Sequence, residues 1–95
     1  MSAVSDDLSV LWAQVRDDLE RARVRLPAGQ SPQLDLYQCF LDHNELELAC
    51  DELERCGMGV ESELEPGFWM ALHDACCKMG LTDHSLRFRA RALNT

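Results

Sequence analysis

Every strong period along this chain is helical. Leu8, Leu11, Trp12, Val15, Leu19 and Ala22 recur at i, i+3, i+4 and i+7 spacing and predict a long first helix with one apolar stripe. Ser5 stands where an N-cap is expected. Asp6 and Asp7 fall in the first turn and Arg21, Arg23 and Arg25 crowd the other end, the arrangement a helix dipole favours. Residues 27–32, Pro-Ala-Gly-Gln-Ser-Pro, form a linker. A shorter helix is predicted from Pro32 or Gln33 to about Leu41, burying Tyr37, Phe40 and Leu41.

Asp42-His43-Asn44 interrupts the pattern, and Asn44 is placed to cap the next helix. That third helix, over 45–56, turns Leu46, Ala49, Leu53 and Cys56 to one side. Glu47, Asp51 and Glu54 share the far side, within about 80° of one another. Leu48 stands well away from the core stripe. Gly57 fits a C′ position, and Gly59 loosens the exit. An acidic loop follows over 58–65. Pro66 then suits the first turn of a fourth helix with Phe68, Leu72, Ala75 and Met79 as its core stripe and Trp69 and Cys76 on the flank. Gly80 stops it. Thr82 or Asp83 caps a last helix expected to turn Leu86, Ala90 and Leu93 inward, with Arg87, Arg89 and Arg91 around the rest.

No segment alternates with a strand period over four or more residues. The fold class is therefore all-α: a compact bundle of four to five helices, mostly antiparallel neighbours, in a single domain over 1–95. A chain of 95 residues buries somewhat over 60% of its unfolded surface, enough for one core without staples. No run approaches the roughly 18 apolar residues of a membrane span, and the first residues lack a secretory signal, so the expected compartment is the cytoplasm. Five cysteines, an odd number without scaffold-like spacing, are expected to stay reduced and act as small hydrophobes.

The charge is unevenly placed. Over residues 35–65 ten acids (Asp35, Asp42, Glu45, Glu47, Asp51, Glu52, Glu54, Glu61, Glu63 and Glu65) face only Arg55, a net −9. The whole chain carries −8, so the remainder sums to +1. A field of this kind attracts a basic partner and repels nucleic acid and anionic membrane. Like charges at i, i+3 and i, i+4 on the third helix also cost a few tenths of a kcal/mol per pair, which lysines there would have relieved. The acidic face can be a merely solvated one; its unrelieved repulsion favours partner recognition. An exposed Leu48 beside it suits an interface anchor or a side chain packed under the acidic loop. Arg87, Arg89 and Arg91 are expected to pair with the chain's own acids rather than with nucleic acid.

Catalytic and metal chemistry find little support. His73 and Cys77 stand at ligand spacing, i and i+4, and His43, His84, Cys39 and Cys76 complete the possible donors, but no second close-spaced pair joins them. There is no phosphate loop, nucleophile elbow or paired Cys/His signature. The expectation is a non-enzyme with no cofactor and no metal.

Phe40-Leu41-Asp42-His43-Asn44-Glu45-Leu46-Glu47-Leu48-Ala49, then an acidic helix, then Phe68-Trp69-Met70-Ala71-Leu72 leading to Met79-Gly80-Leu81, resembles small helical immunity proteins of bacterial polymorphic toxin systems. These are the MafI-type and contact-dependent growth inhibition immunity proteins, and the resemblance spans residues 37–81. It implies an inhibitor that binds a cognate toxin domain, commonly a basic nuclease, and blocks its active site or substrate surface. Charge complementarity agrees with that expectation. Asp42, His43, Glu45, Glu47, Leu48, Asp51, Glu54, Glu61 and Glu63 are the candidate partner-binding residues of a monomer or weak dimer. Asp42, His43, Asn44 and Glu45 also have a plainer explanation, as helix-break and cap chemistry. The alternative function is a helical adaptor or scaffold that uses the same acidic face for another partner.

Overall fold

Helices form where apolar periods run between residues that stop them. The computed structural model describes residues 3–27 and 31–94. It contains α1 (Ala3–Arg23), α2 (Ser31–Asp42), α3 (Leu46–Met58), a 3-10 turn (Glu61–Glu63), α4 (Pro66–Met79) and α5 (Thr82–Leu93). No strand occurs among the described residues. The all-α bundle read from the sequence is therefore what the chain adopts. The side chain of Leu8 and residues 28–30 of the linker lie outside what the structure describes. Helix α1 begins at Ala3, two residues before Ser5, so Ser5 is not its cap.

Two tight helical hairpins carry the architecture, and both turn through the same hydrogen-bond pattern. After α2 the Glu45 N–H donates to the Phe40 carbonyl (2.8 Å) and the Asn44 N–H to the Leu41 carbonyl (3.0 Å). After α4 the Leu81 N–H donates to the Cys76 carbonyl (2.9 Å) and the Gly80 N–H to the Cys77 carbonyl (3.2 Å). Each is the paired closure that needs a left-handed residue at its centre. Gly80 supplies it with φ 75° and Asn44 with φ 57°. Asparagine tolerates that region better than other residues with a β-carbon. Asn44 thus ends α2 and does not cap α3; α3 starts after Glu45, with no side-chain cap bond.

One core joins all five helices, and α4 packs most heavily on α1 and α5. Trp69 is at its centre, fully buried, edge-on to Phe68 with centroids 4.8 Å apart and stacked on Phe88 at 6.1 Å. The expected flank position of Trp69 and Cys76 is corrected accordingly: both are fully buried, while Met79 is only partly so. Helix α5 differs further. Its buried residues are Ser85, Phe88 and Ala92, whereas Leu86 and Leu93 are 58% and 73% exposed. Phe88 offers more apolar area than either leucine, and stacking it on Trp69 rotates the leucines outward.

Gly57 is also reassigned. It lies inside α3 and is buried, and a β-carbon there would sit 2.5 Å from Phe68 Cε2 and 3.1 Å from Trp69 Cη2. Its purpose is close approach of α3 to α4. Gly57→Ala gains about 1 kcal/mol of helix propensity. It must also displace the fully buried Phe68 ring and press on that of Trp69, which typically costs about 1–3 kcal/mol and occasionally more. The clash wins, so the variant is expected to melt several degrees below the native protein in a calorimetric scan. A raised midpoint would show that the rings yield.

Candidate functional site

The corner between α2 and α3 is assembled from short-range geometry. Arg16 of α1 donates through Nη2 to the Leu41 carbonyl (2.7 Å) and to Asn44 Oδ1 (3.2 Å), tying the turn to the long helix. Asp42 Oδ1 accepts from Gln38 Nε2 at 2.9 Å. His43 Nδ1 is 2.8 Å from the Cys39 carbonyl. Leu46 is buried beneath the turn, and its neighbours Asp42, His43, Glu45, Glu47 and Leu48 are all exposed. Five of the candidate interface residues therefore share one corner, and Leu48 is 44% exposed beside the carboxylates.

The remaining candidates are placed differently. Glu54 is not on a free face: its side chain is 13% exposed and accepts a two-pronged hydrogen bond from Arg87, Nε and Nη2 each at 2.8 Å. That bond raises the Arg87 pKa above its ordinary value, with burial opposing. Asp51 lies 3.6 Å from His84 Nε2. Burial pushes the Asp51 carboxyl up, His84 draws it down, and Glu47 and Glu54 add repulsion. Glu61 in the 3-10 turn accepts from Arg91 Nη1, and the Arg91 guanidinium lies 5.0 Å from the Trp69 ring centroid. Of Arg87, Arg89 and Arg91, all expected to pair with the chain's own acids, Arg87 and Arg91 do so, while no ion pair of Arg89 occurs among the described residues. Glu63 is exposed on the same 3-10 turn.

A simple partition follows. Of the ten acids over 35–65, Glu52, Glu54, Glu61 and Glu65 are paired with Arg55, Arg87, Arg91 and Arg25, and Asp51 faces the His84 imidazole, which carries a charge only when protonated. Asp35, Asp42, Glu45, Glu47 and Glu63 carry no ion pair among the described residues. Four of these five lie between α2 and the start of α3, and Glu63 stands apart on the 3-10 turn. Nothing in the local sequence marks this division, because Arg87 and Glu54 are 33 residues apart.

The cysteines divide into two groups. Cys50, Cys56 and Cys76 are buried free thiols, with Cys50 and Cys76 sulfurs 3.6 Å apart across α3 and α4. The hydrogen bond to Cys76, then burial, pushes the Cys50 thiol far up. Cys39 and Cys77 are exposed, each one helical turn from a histidine. Among the described residues no group of three or more His, Cys, Asp or Glu side chains is placed to hold a metal ion. No described helix is long and apolar enough to cross a membrane. No protein-family model, curated protein or solved structure matches the chain.

Proposed function

We propose that this chain is an immunity protein that binds and neutralises a cognate toxin domain, basic and of nuclease type, through the α2–α3 corner. The observation that carries the reading is the set of uncompensated carboxylates Asp42, Glu45 and Glu47 around exposed Leu48, on a turn tied down by Arg16. Carboxylates so displayed meet a groove built for phosphates, and their field speeds encounter. A rigid corner has little conformational entropy to lose on binding, and Leu48 supplies apolar area that only the bound state buries. Occupying the substrate groove is sufficient for inhibition, so inhibition itself requires no chemical step and no cofactor. It acts in the bacterial cytoplasm as a monomer or weak dimer.

The test takes its partner from the gene directly upstream, where the immunity reading places the toxin. Reversing Glu45 and Glu47 to Lys is expected to leave circular dichroism unchanged and to slow association roughly 10–10³-fold at low salt. The deficit shrinks as ionic strength passes about 0.15 M, where the Debye length is about 8 Å. Glu54→Lys, which sets two cations against each other at the α3–α5 seam, should act instead on the melting temperature. Equal association rates for the double reversal and the native protein at low salt would place the toxin contact elsewhere, and failure of the native protein to bind the toxin domain would return the adaptor reading.

A further inference from the structure

The chain carries two exposed cysteine–histidine pairs at i, i+4 spacing, and their geometry makes them chemically different. In the first, His43 Nδ1 is 2.8 Å from the Cys39 carbonyl oxygen. A carbonyl oxygen only accepts, so Nδ1 carries the proton and donates it there. The Cys39 sulfur, 3.9 Å from that same nitrogen, faces an atom with no lone pair to offer. In the second pair the nitrogens exchange duties. His73 Nδ1 is 3.1 Å from Asp74 Oδ1, and the carboxylate again fixes the proton on Nδ1. The lone pair of Nε2 is then directed at the Cys77 sulfur, 3.5 Å away.

Asp74 is held in its turn. Its second oxygen lies 3.5 Å from Arg21 Nη2 of α1, and Arg21 also pairs with buried Asp18, which accepts from Lys78 Nζ at 2.5 Å. These four, Asp74 and Lys78 of α4 and Arg21 and Asp18 of α1, are the charged groups around the pair. No charged side chain of α3 or α5 forms an ion pair with it among the described residues. The His73 side chain is only 21% exposed and is therefore confined, while Cys77 is open to solvent. The result is a nucleophile, a base and an orienting carboxylate in sequence.

We infer that Cys77 is a thiol–disulfide exchange site toward small soluble disulfides, with His73 as its base and Asp74 as a positioning residue. The Cys77 S–H proton passes to His73 Nε2, and the thiolate attacks one sulfur of the disulfide. A new bond forms between Cys77 and that sulfur as the original S–S bond breaks. The departing thiolate takes the proton back from Nε2, so one protein thiol and one disulfide become one mixed disulfide and one free small thiol. Neighbouring Cys76 cannot resolve the adduct, because its sulfur points into the core against Cys50. The mixed disulfide therefore persists until an external thiol removes it. This assignment is independent of the interface reading, because His73, Asp74 and Cys77 lie on α4 rather than at the α2–α3 corner.

The experiment treats the native full chain with oxidised glutathione and follows each adduct by peptide mass. Cys77 is expected to react roughly tenfold faster than Cys39 near neutral pH. His73→Asn should bring the Cys77 rate and its pH profile to those of Cys39, and His43→Asn should leave Cys39 unchanged. Asp74→Asn should slow Cys77 several-fold and shift its pH profile, which loss of packing alone would not do. In the His73 and Asp74 variants the Cys39 rate, and in every variant the silence of buried Cys50, report that the fold is intact. Equal rates at Cys39 and Cys77 in the native protein overturn the assignment without any variant. So does a His73→Asn protein whose Cys77 rate and pH profile match the native ones.

Discussion

Trp69→Ala is expected to lose about 3–5 kcal/mol of folding free energy, the largest effect of any single truncation in this chain. The residue is fully buried and touches three separate elements: Phe68 on its own helix, Phe88 of α5, and Gly57 of α3. Arg91 adds a cation–π contact at 5.0 Å. Each aromatic partner is worth roughly 0.5–1.5 kcal/mol beyond its buried area. Domains of this size are stable by only about 5–15 kcal/mol in total, so a large share would vanish. At about 4–8 °C per kcal/mol the midpoint should fall by roughly 12–40 °C. Denaturant titration and near-ultraviolet circular dichroism measure both the loss and whether side-chain packing survives below the transition. Trp12→Ala supplies the control, because Trp12 only packs against the edge of the core and should cost much less.

Much of this architecture is legible in the sequence for a definite reason. Pro66, Gly80 and Asp42-His43-Asn44 are stops whose chemistry is local, and local chemistry needs no knowledge of the partner helix. What fails to appear is anything decided by contacts distant along the chain. Gly57 resembles a terminator until Phe68 and Trp69 are packed against it. Asn44 resembles an N-cap until its backbone is seen to be left-handed. Helix α5 admits two inward faces with helical spacing, one through Leu86, Ala90 and Leu93, the other through Ser85, Phe88 and Ala92. Only the position of Trp69 chooses between them.

The candidate interface follows the same division. The sequence identifies an acidic segment, and the segment is real, but it does not say which charges the fold neutralises. Glu54 and Glu61 are taken up by Arg87 and Arg91, which come from a helix 30 or more residues away. Asp42, Glu45 and Glu47 at the α2–α3 corner are left without an ion pair among the described residues, as are Asp35 and Glu63 beyond it. A reading of net charge per segment therefore finds the acidic segment but not which of its carboxylates the fold pairs. The thiol at Cys77 is similarly hidden: His73 and Cys77 suggest a ligand pair by spacing, while the ring nitrogen that faces the sulfur is set by Asp74.

The register of α5 yields the second large prediction. Phe88→Ala should cost about 3–5 kcal/mol, because the ring is fully buried against Trp69. Leu86→Ala and Leu93→Ala should each stay within about 0.5 kcal/mol of the native protein, because both side chains are largely in water. If α5 instead buried its leucine stripe, the order would invert, with the leucines costing about 2–5 kcal/mol and Phe88 little. Chemical denaturation of the three variants decides between the two faces. The double variant Trp69→Ala with Phe88→Ala sharpens the test. Two rings in contact share one cavity, so the combined loss should fall short of the sum by about 0.5–3 kcal/mol. Strict additivity would mean the rings do not touch, and the leucines of α5 would then be free to face the core.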